Sequence, residues 1–299
     1  MYEHPTKSAI LRGPRMRHNL MRRFSSNFAM AVMYALTALA LVPLGLVLWF
    51  TIAKGLPAVT NLEFFINSQR PSGIPGSGIA NAIVGSAIIV GLASVAAIPV
   101  GVLGGVYLAE YGSGRWASWV RLASDVLVGA PSIALGLFAY ALVVVPQHHF
   151  SGTSASVALA ILMLPVVIRT TESAVGLIPN GLRESGLALG LPRWRVSLQL
   201  ILPAAAPGVI TGALLAVARA AGETAPVLFT ALGNQRLSFD PGHPMSTLPL
   251  VVFRDALTPY KDLQQEAWGA ALVLVFMVLV INLGSRWVLR RQIRLARQL

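Results

Sequence analysis

Long uninterrupted apolar runs constrain this chain more than any other feature. Six of them, at 27–52, 80–108, 122–145, 153–168, 205–231 and 268–285, read as membrane-crossing helices. A helix rises about 1.5 Å per residue, so about 20 apolar residues cross a hydrocarbon layer. Within that layer each backbone amide needs an internal partner, which a helix supplies. Charged residues are 11% of the chain, against about 25% in soluble domains. The expected fold is all-α and polytopic, with six transmembrane helices.

Basic residues orient these spans. Of 23 Lys and Arg, 17 fall in the N-terminal tail, the connections after spans two and four, and the C-terminal tail. The other three connections hold five, and Arg219 lies inside span five. The positive-inside rule puts both termini and the segment 178–203 in the cytoplasm. The domain division that follows is a basic tail at 1–26, a membrane-spanning body at 27–290 and a second tail at 291–299. The first tail, with its scattered Pro and Gly, reads as partly unstructured. The first apolar run starts near residue 27 and is too long for the h-region of a cleaved signal, so it reads as a true span. The net charge of +12 reports topology and an attraction to anionic membrane lipids, not nucleic-acid binding.

Several chemistries have no support. The chain has no cysteine, which removes disulfides and thiolate metal sites. His148 and His149 sit side by side in a short connection, without metal-ligand spacing. No metal or cofactor is expected. There is no G-x-x-x-x-G-K-[ST] loop, so ATP binding through a P-loop is excluded. The chain is not expected to be an enzyme, and its energy must come from a separate subunit or an ion gradient.

The polar interruption "IPNGLRESGLALGLPRWRVSLQLILP" (178–203) precedes span five. Asn180 suits an N-cap and Gly190 a C′ position, giving a short helix at 181–189. Pro192 suits the first turn of a second short helix ending near Pro203. Leu182, Leu187 and Leu189 stand beside Arg183 and Glu184 on the first helix. That apolar surface packs either on the chain's own spans or in a groove of a partner.

This segment resembles the coupling motif of bacterial ABC importer permeases, written EAA, three residues, Gly, nine residues, Ile-x-Leu-Pro. Glu184, Gly190 and Leu202-Pro203 fall at its spacing. Ser185-Gly186 replaces Ala-Ala and Leu200 replaces Ile. Gly186 costs the helix about 1 kcal/mol relative to Ala. The strings "GAPSIALGLFAY" (129–140), "LPVVIRTTESAVGLIP" (164–179) and "ARAAGETAPVLFTALG" (218–233) resemble the PstA family of phosphate-importer permeases. The resemblance implies a type I (MetI-like) importer permease in a bacterial cell membrane. It also implies a second, PstC-like permease, PstB-like ATPase subunits and a PstS-like extracytoplasmic phosphate-binding protein. In that setting 178–203 would receive motion from the ATPase. Glu184 would be the motif carboxylate, with Leu182, Arg183, Leu187, Leu189 and Gly190 around it.

Charges inside spans mark a second place of interest. Arg219 and Glu223 lie four apart in span five, on one helix face if the helix is continuous. They read either as a self-neutralising packing pair or as the lining of a polar route, since buried ionisable groups usually face the bundle interior. A guanidinium fork suits phosphate oxygens, and Thr224 could add a hydroxyl. Arg169 and Glu172, at the end of span four, are either an interfacial pair or an anion exit site. Arg121 and Asp125 read as interfacial structure.

The connections at 53–79 and 232–267 fall outside the cell in this topology. They are either passive links or a landing surface for a binding protein. The piece 248–257 is too short to span and reads as interfacial or re-entrant. Two other functions remain open at this stage: an ABC importer for another small solute, and an ion-coupled secondary transporter.

Overall fold

A computed structural model describes the backbone of residues 15–296 and the side chains of 25–284. The tail 1–14 and residues 297–299, parts of the two expected tails, lie outside the described residues. The chain separates into two compact units, Met1–Ile52 and Ala53–Leu299, with the boundary inside the first helix.

That helix, α1 (Arg15–Val59), starts well before the expected span, so residues 15–26 are helical rather than irregular. Its part within the first unit is apolar around the circumference from Phe28 to Phe50. The second unit contains α2 (Glu63–Ile66), α3 (Ala80–Tyr111), α4 (Arg115–Gly129) and α5 (Ser132–Gln147). There follow α6 (Gly152–Gly176), α7 (Asn180–Ala188), α8 (Arg193–Ala221), α9 (Ala225–Ala231), α10 (Leu248–Ala256) and α11 (Lys261–Ala296). Among the described residues, five helices are long and apolar enough to cross a membrane, and α4 with α5 makes a sixth if the bent pair counts as one span.

Three expectations need correction. The third span is not one rod, because α4 and α5 meet at a bend of 110°. Pro131 drives Ala130 into extended backbone at ψ 140°, as residues before proline are driven out of the helical region. The fifth span is also interrupted: α8 ends at Ala221, and Gly222–Thr224 separates it from α9, which starts just before Pro226. The second short helix of the polar segment is not separate. It runs from Arg193 through a wide π turn at Val196–Ile201 into the spanning part of α8. Such a turn loosens the normal i to i+4 ladder, which accommodates Pro203 just beyond it.

α6 is the central helix, and small residues let its neighbours approach on two sides. A Cβ on Gly101 of α3 would lie 2.7 Å from Val167, and one on Gly105 would lie 2.6 Å from the Ile168 carbonyl. On the other side, a Cβ on Gly208 of α8 would lie 2.7 Å from Ala174 Cβ, and Gly212 abuts Thr170. Ile89, Leu159, Met163, Val167 and Ala216 fill the layer between them. The two interrupted elements also meet, since a Cβ on Gly136 of α5 would come within 2.9 Å of Pro226 Cα at the start of α9.

Candidate coupling surface and translocation path

The short helix α7 is built as the spacing predicts, displaced by one residue. Pro179, extended at ψ 142°, is the N-cap in place of Asn180. At the other end Gly190 has φ +79°, a left-handed conformation that glycine adopts without strain. The Leu191 N–H donates to the Gly186 carbonyl (3.2 Å) and the Gly190 N–H to that of Leu187 (2.9 Å). This pair of bonds is a Schellman closure.

The inward face of α7 is Arg183 and Gly186. The Arg183 guanidinium meets Glu110 Oε1, at the end of α3, through Nε (2.9 Å) and Nη2 (2.8 Å). It also donates to the carbonyls of Val175 (3.0 Å) and Ile178 (2.5 Å) and to Asn180 Oδ1 (3.2 Å). Gly186 is pressed against α8, where a Cβ would lie 2.7 Å from Leu200 Cδ1 and 2.9 Å from Val196 Cγ2. The missing methyl, a departure from the motif, is therefore space that Leu200 occupies. The outward face keeps Leu182, Leu187 and Leu189 exposed at 37%, 42% and 81%, with Glu184 beside them.

Near this end an ion network joins α4 to α6. Arg169 binds the Asp125 carboxylate with Nε and Nη2, both at 2.8 Å, and Glu172 Oε2 with Nη1 at 2.9 Å. Glu172 Oε1 accepts from Arg121 Nε at 2.6 Å, and Arg121 also donates to the carbonyls of Leu108 and Gly112. The expected pair Arg169–Glu172 is thus half of a charge-balanced set of four.

Arg219 and Glu223 do come together, with Nε 3.5 Å from Oε1, but not on one helix face. Glu223 lies in the interruption between α8 and α9, where its N–H donates to the Ala220 carbonyl (3.2 Å). The Glu223 side chain is 18% exposed and that of Arg219 44%. Among the described residues this single 3.5 Å contact leaves most guanidinium donors available, unlike the saturated Arg183. Thr224 makes no capping bond with its side chain. The arrangement is a cationic fork at a break in a spanning helix.

Comparison with known proteins supplies the decisive observation. Residues 101–298 match the model of the family described as "Binding-protein-dependent transport system inner membrane component". The chain belongs to this family. As a binding-protein-dependent inner membrane component it is a multi-pass membrane permease of an ABC transport system. It is 41% identical to the "Phosphate transport system permease protein PstA" of Yersinia pestis, over 93% of this chain and 94% of that protein. The protein of the same name from Xylella fastidiosa (strain Temecula1) is 46% identical over 80% of this chain and 84% of its own. "Phosphate transport system permease protein PstA 1" of Mycobacterium tuberculosis (strain H37Rv) is 36% identical over 98% and 96%. Among solved structures, a chain of the inward-facing MetNI methionine ABC transporter superposes with a TM-score of 0.58 at 19% identity, covering 72% of this chain and 94% of that one. That likeness shows the importer-permease fold.

In this inner membrane component, sequence reasoning passed over Glu110, which is 73 positions from its partner Arg183. It set Asp125 beside Arg121, whereas the partner is Arg169, 44 positions away. A further polar cluster joins the loop 67–78 to α3, α10 and α11. Asn81 donates to Gln69 Oε1 (3.1 Å) and to the Asn234 carbonyl (2.8 Å), and Gln69 donates to Asp255 Oδ2 (2.9 Å). Burial raises Asp255 above the usual carboxylate range, against the opposing pull of Arg254 and Gln69. The piece expected at 248–257 is α10, whose Leu248, Leu250 and Val251 are buried in the protein.

Proposed function

We propose that this chain is one membrane-spanning half of an ATP-driven phosphate importer, and that 178–203 transmits the stroke of a separate ATPase. One observation carries the coupling role: α7 turns its polar anchor inward and leaves three leucines and a carboxylate outward. An amphipathic helix normally does the reverse unless a partner covers it. The named function of relatives 36–46% identical over most of the chain supports phosphate as substrate. The basic-residue distribution supports cytoplasmic termini, with α7 on the same side.

In this reading a PstC-like permease completes the path, PstB-like subunits hydrolyse ATP, and a PstS-like protein delivers phosphate to the connections at 67–78 and 232–247. Arg219 contacts the anion with its unused donors. Glu223 holds the guanidinium and limits how tightly the anion stays, as a conducting site must release what it binds. Arg169 and Glu172 fasten α4 to α6 rather than lining the path.

The test is uptake of labelled phosphate, sulfate and molybdate into proteoliposomes containing the chain with its permease, ATPase and binding-protein partners. Phosphate uptake should require ATP and all four components. Arg219→Gln should lower uptake about tenfold or more, the loss of a charged hydrogen bond worth roughly 1.5–3 kcal/mol. Leu187→Asp should release the ATPase during purification. Unchanged uptake by assembled Arg219→Gln complex would remove Arg219 from the path.

A further inference from the structure

The end of the second unit opposite α7 carries two carboxylates one turn apart on α11, and they hold the same loop in different ways. Asp262 is exposed and accepts from Ser72 Oγ with both oxygens (2.9 Å) and from the Gly73 N–H (2.8 Å). Glu266 is 5% exposed. Its Oε2 accepts from Ser77 Oγ at 2.6 Å, while its Oε1 is buried with no hydrogen-bond partner among the described residues. Ser77 Oγ in turn accepts from the Arg70 N–H (2.9 Å). A cavity of about 280 Å³ beneath the loop is lined by Arg70, Pro75, Ser77, Asp262 and Glu266.

No salt bridge reaches Glu266 among the described residues. Arg254, on α10, is engaged by Asp255 (3.2 Å) and by Gln69 (3.3 Å). Arg70 directs Nη1 to the Pro75 carbonyl (2.8 Å). Lys54, at the end of α1, stands over the Trp268 ring at 5.1 Å. Asp262 adds a like charge on the same helix. The buried pair Asp255 and Glu266 therefore faces one guanidinium, a net negative charge away from water if both ionise. An uncompensated buried charge costs several kcal/mol, and such groups take up a proton instead.

We propose that Glu266 is a proton-binding site that latches the loop 67–78: protonated, it stays beneath the closed loop, and ionised, it favours an open loop that lets water reach it. One proton passes between bulk water at that face and the carboxyl group. The Ser77 hydroxyl both donates and accepts, so its bond survives in either state. The cost of ionised Glu266 falls on the closed form alone, so rising pH opens the loop. This latch is independent of which solute crosses the membrane.

The test uses the full chain in lipid nanodiscs, with hydrogen–deuterium exchange of 67–78 followed from about pH 5 to about pH 8 and corrected for the intrinsic rate. Wild-type protection should fall about tenfold or more with rising pH, because ionised Glu266 disfavours only the closed form. Glu266→Gln should hold the loop protected throughout. Asp255→Asn should move the midpoint but keep the fall. Infrared titration of the wild-type protein provides a readout that needs no variant: a protonated-carboxyl band should disappear at the pH where the loop opens. Protection independent of pH in the wild type overturns the latch. So does a wild-type-like profile in Glu266→Gln, a flat profile in Asp255→Asn, or a carboxyl band that titrates apart from loop opening.

Discussion

Arg183 shows how much one side chain can fix. Arg183→Ala should destabilise the folded chain by about 3–5 kcal/mol, because it strands Glu110, whose side chain is 10% exposed. Glu110→Ala in the same chain should recover part of that loss, read as thermal midpoints in detergent. Gly186 and Leu200 form a second coupled pair. Gly186→Ala gains about 1 kcal/mol of helix propensity and loses about 1–3 to overpacking. Reshaping Leu200 to Ile, the family's residue, should change that balance. The double-mutant cycle should show a coupling of about 0.5–3 kcal/mol, as expected of residues in contact. Asp255 adds a pH signature. Its folded-state pKa is raised, so the native chain holds that proton more tightly than the unfolded one. The associated stability is fully present below the ordinary carboxylate pKa and is lost as pH rises through the raised value. The stability of wild type relative to Asp255→Asn should therefore fall with rising pH in calorimetry. At this scale Glu184 and Gly190 were legible because the motif fixes their spacing within one local segment. Glu110, Glu266 and the pairing of Asp125 with Arg169 were not, since their partners or burial come from contacts far along the chain.

The same divide between local and distant information holds for elements. Runs of apolar residues located every spanning helix, because hydropathy and length are local properties. Direction is not: 122–145 reads as one run, yet it bends by 110° at Pro131. Proline was visible there, but membrane helices tolerate it in a straight or kinked span, so its presence alone does not announce a corner. The break after Ala221 escaped for a similar reason, since Gly222 and Pro226 each fit a continuous membrane helix. Both interruptions are consolidated where α5 meets α9. Gly136→Val should separate them, because the facing atom is the Pro226 backbone rather than a side chain that can swing aside. The expected cost is about 1–3 kcal/mol, measured as a lowered thermal midpoint. Gly91→Val serves as a control, as nothing lies within 4 Å of a Cβ there.

For the whole molecule, the uneven placement of basic residues supports the proposed orientation, with α7 on the cytoplasmic side and the loop 67–78 on the other. The absence of cysteine gives a clean assay. Ser185→Cys, on α7, should react with a membrane-impermeant maleimide only in inverted vesicles, and Gln235→Cys, near the opposite end, only in intact cells. The reverse pattern would overturn the orientation and the coupling role together. The fastening of α7 then has a mechanical consequence. One guanidinium ties it to Glu110 on α3 and to two carbonyls at the end of α6, while its own chain continues through a wide turn into α8. A push on its exposed leucines cannot be absorbed by that short helix swivelling alone. In the proposed coupling role the thrust is shared among three membrane-crossing columns at once, and loss of the Arg183 knot would let them slip out of step.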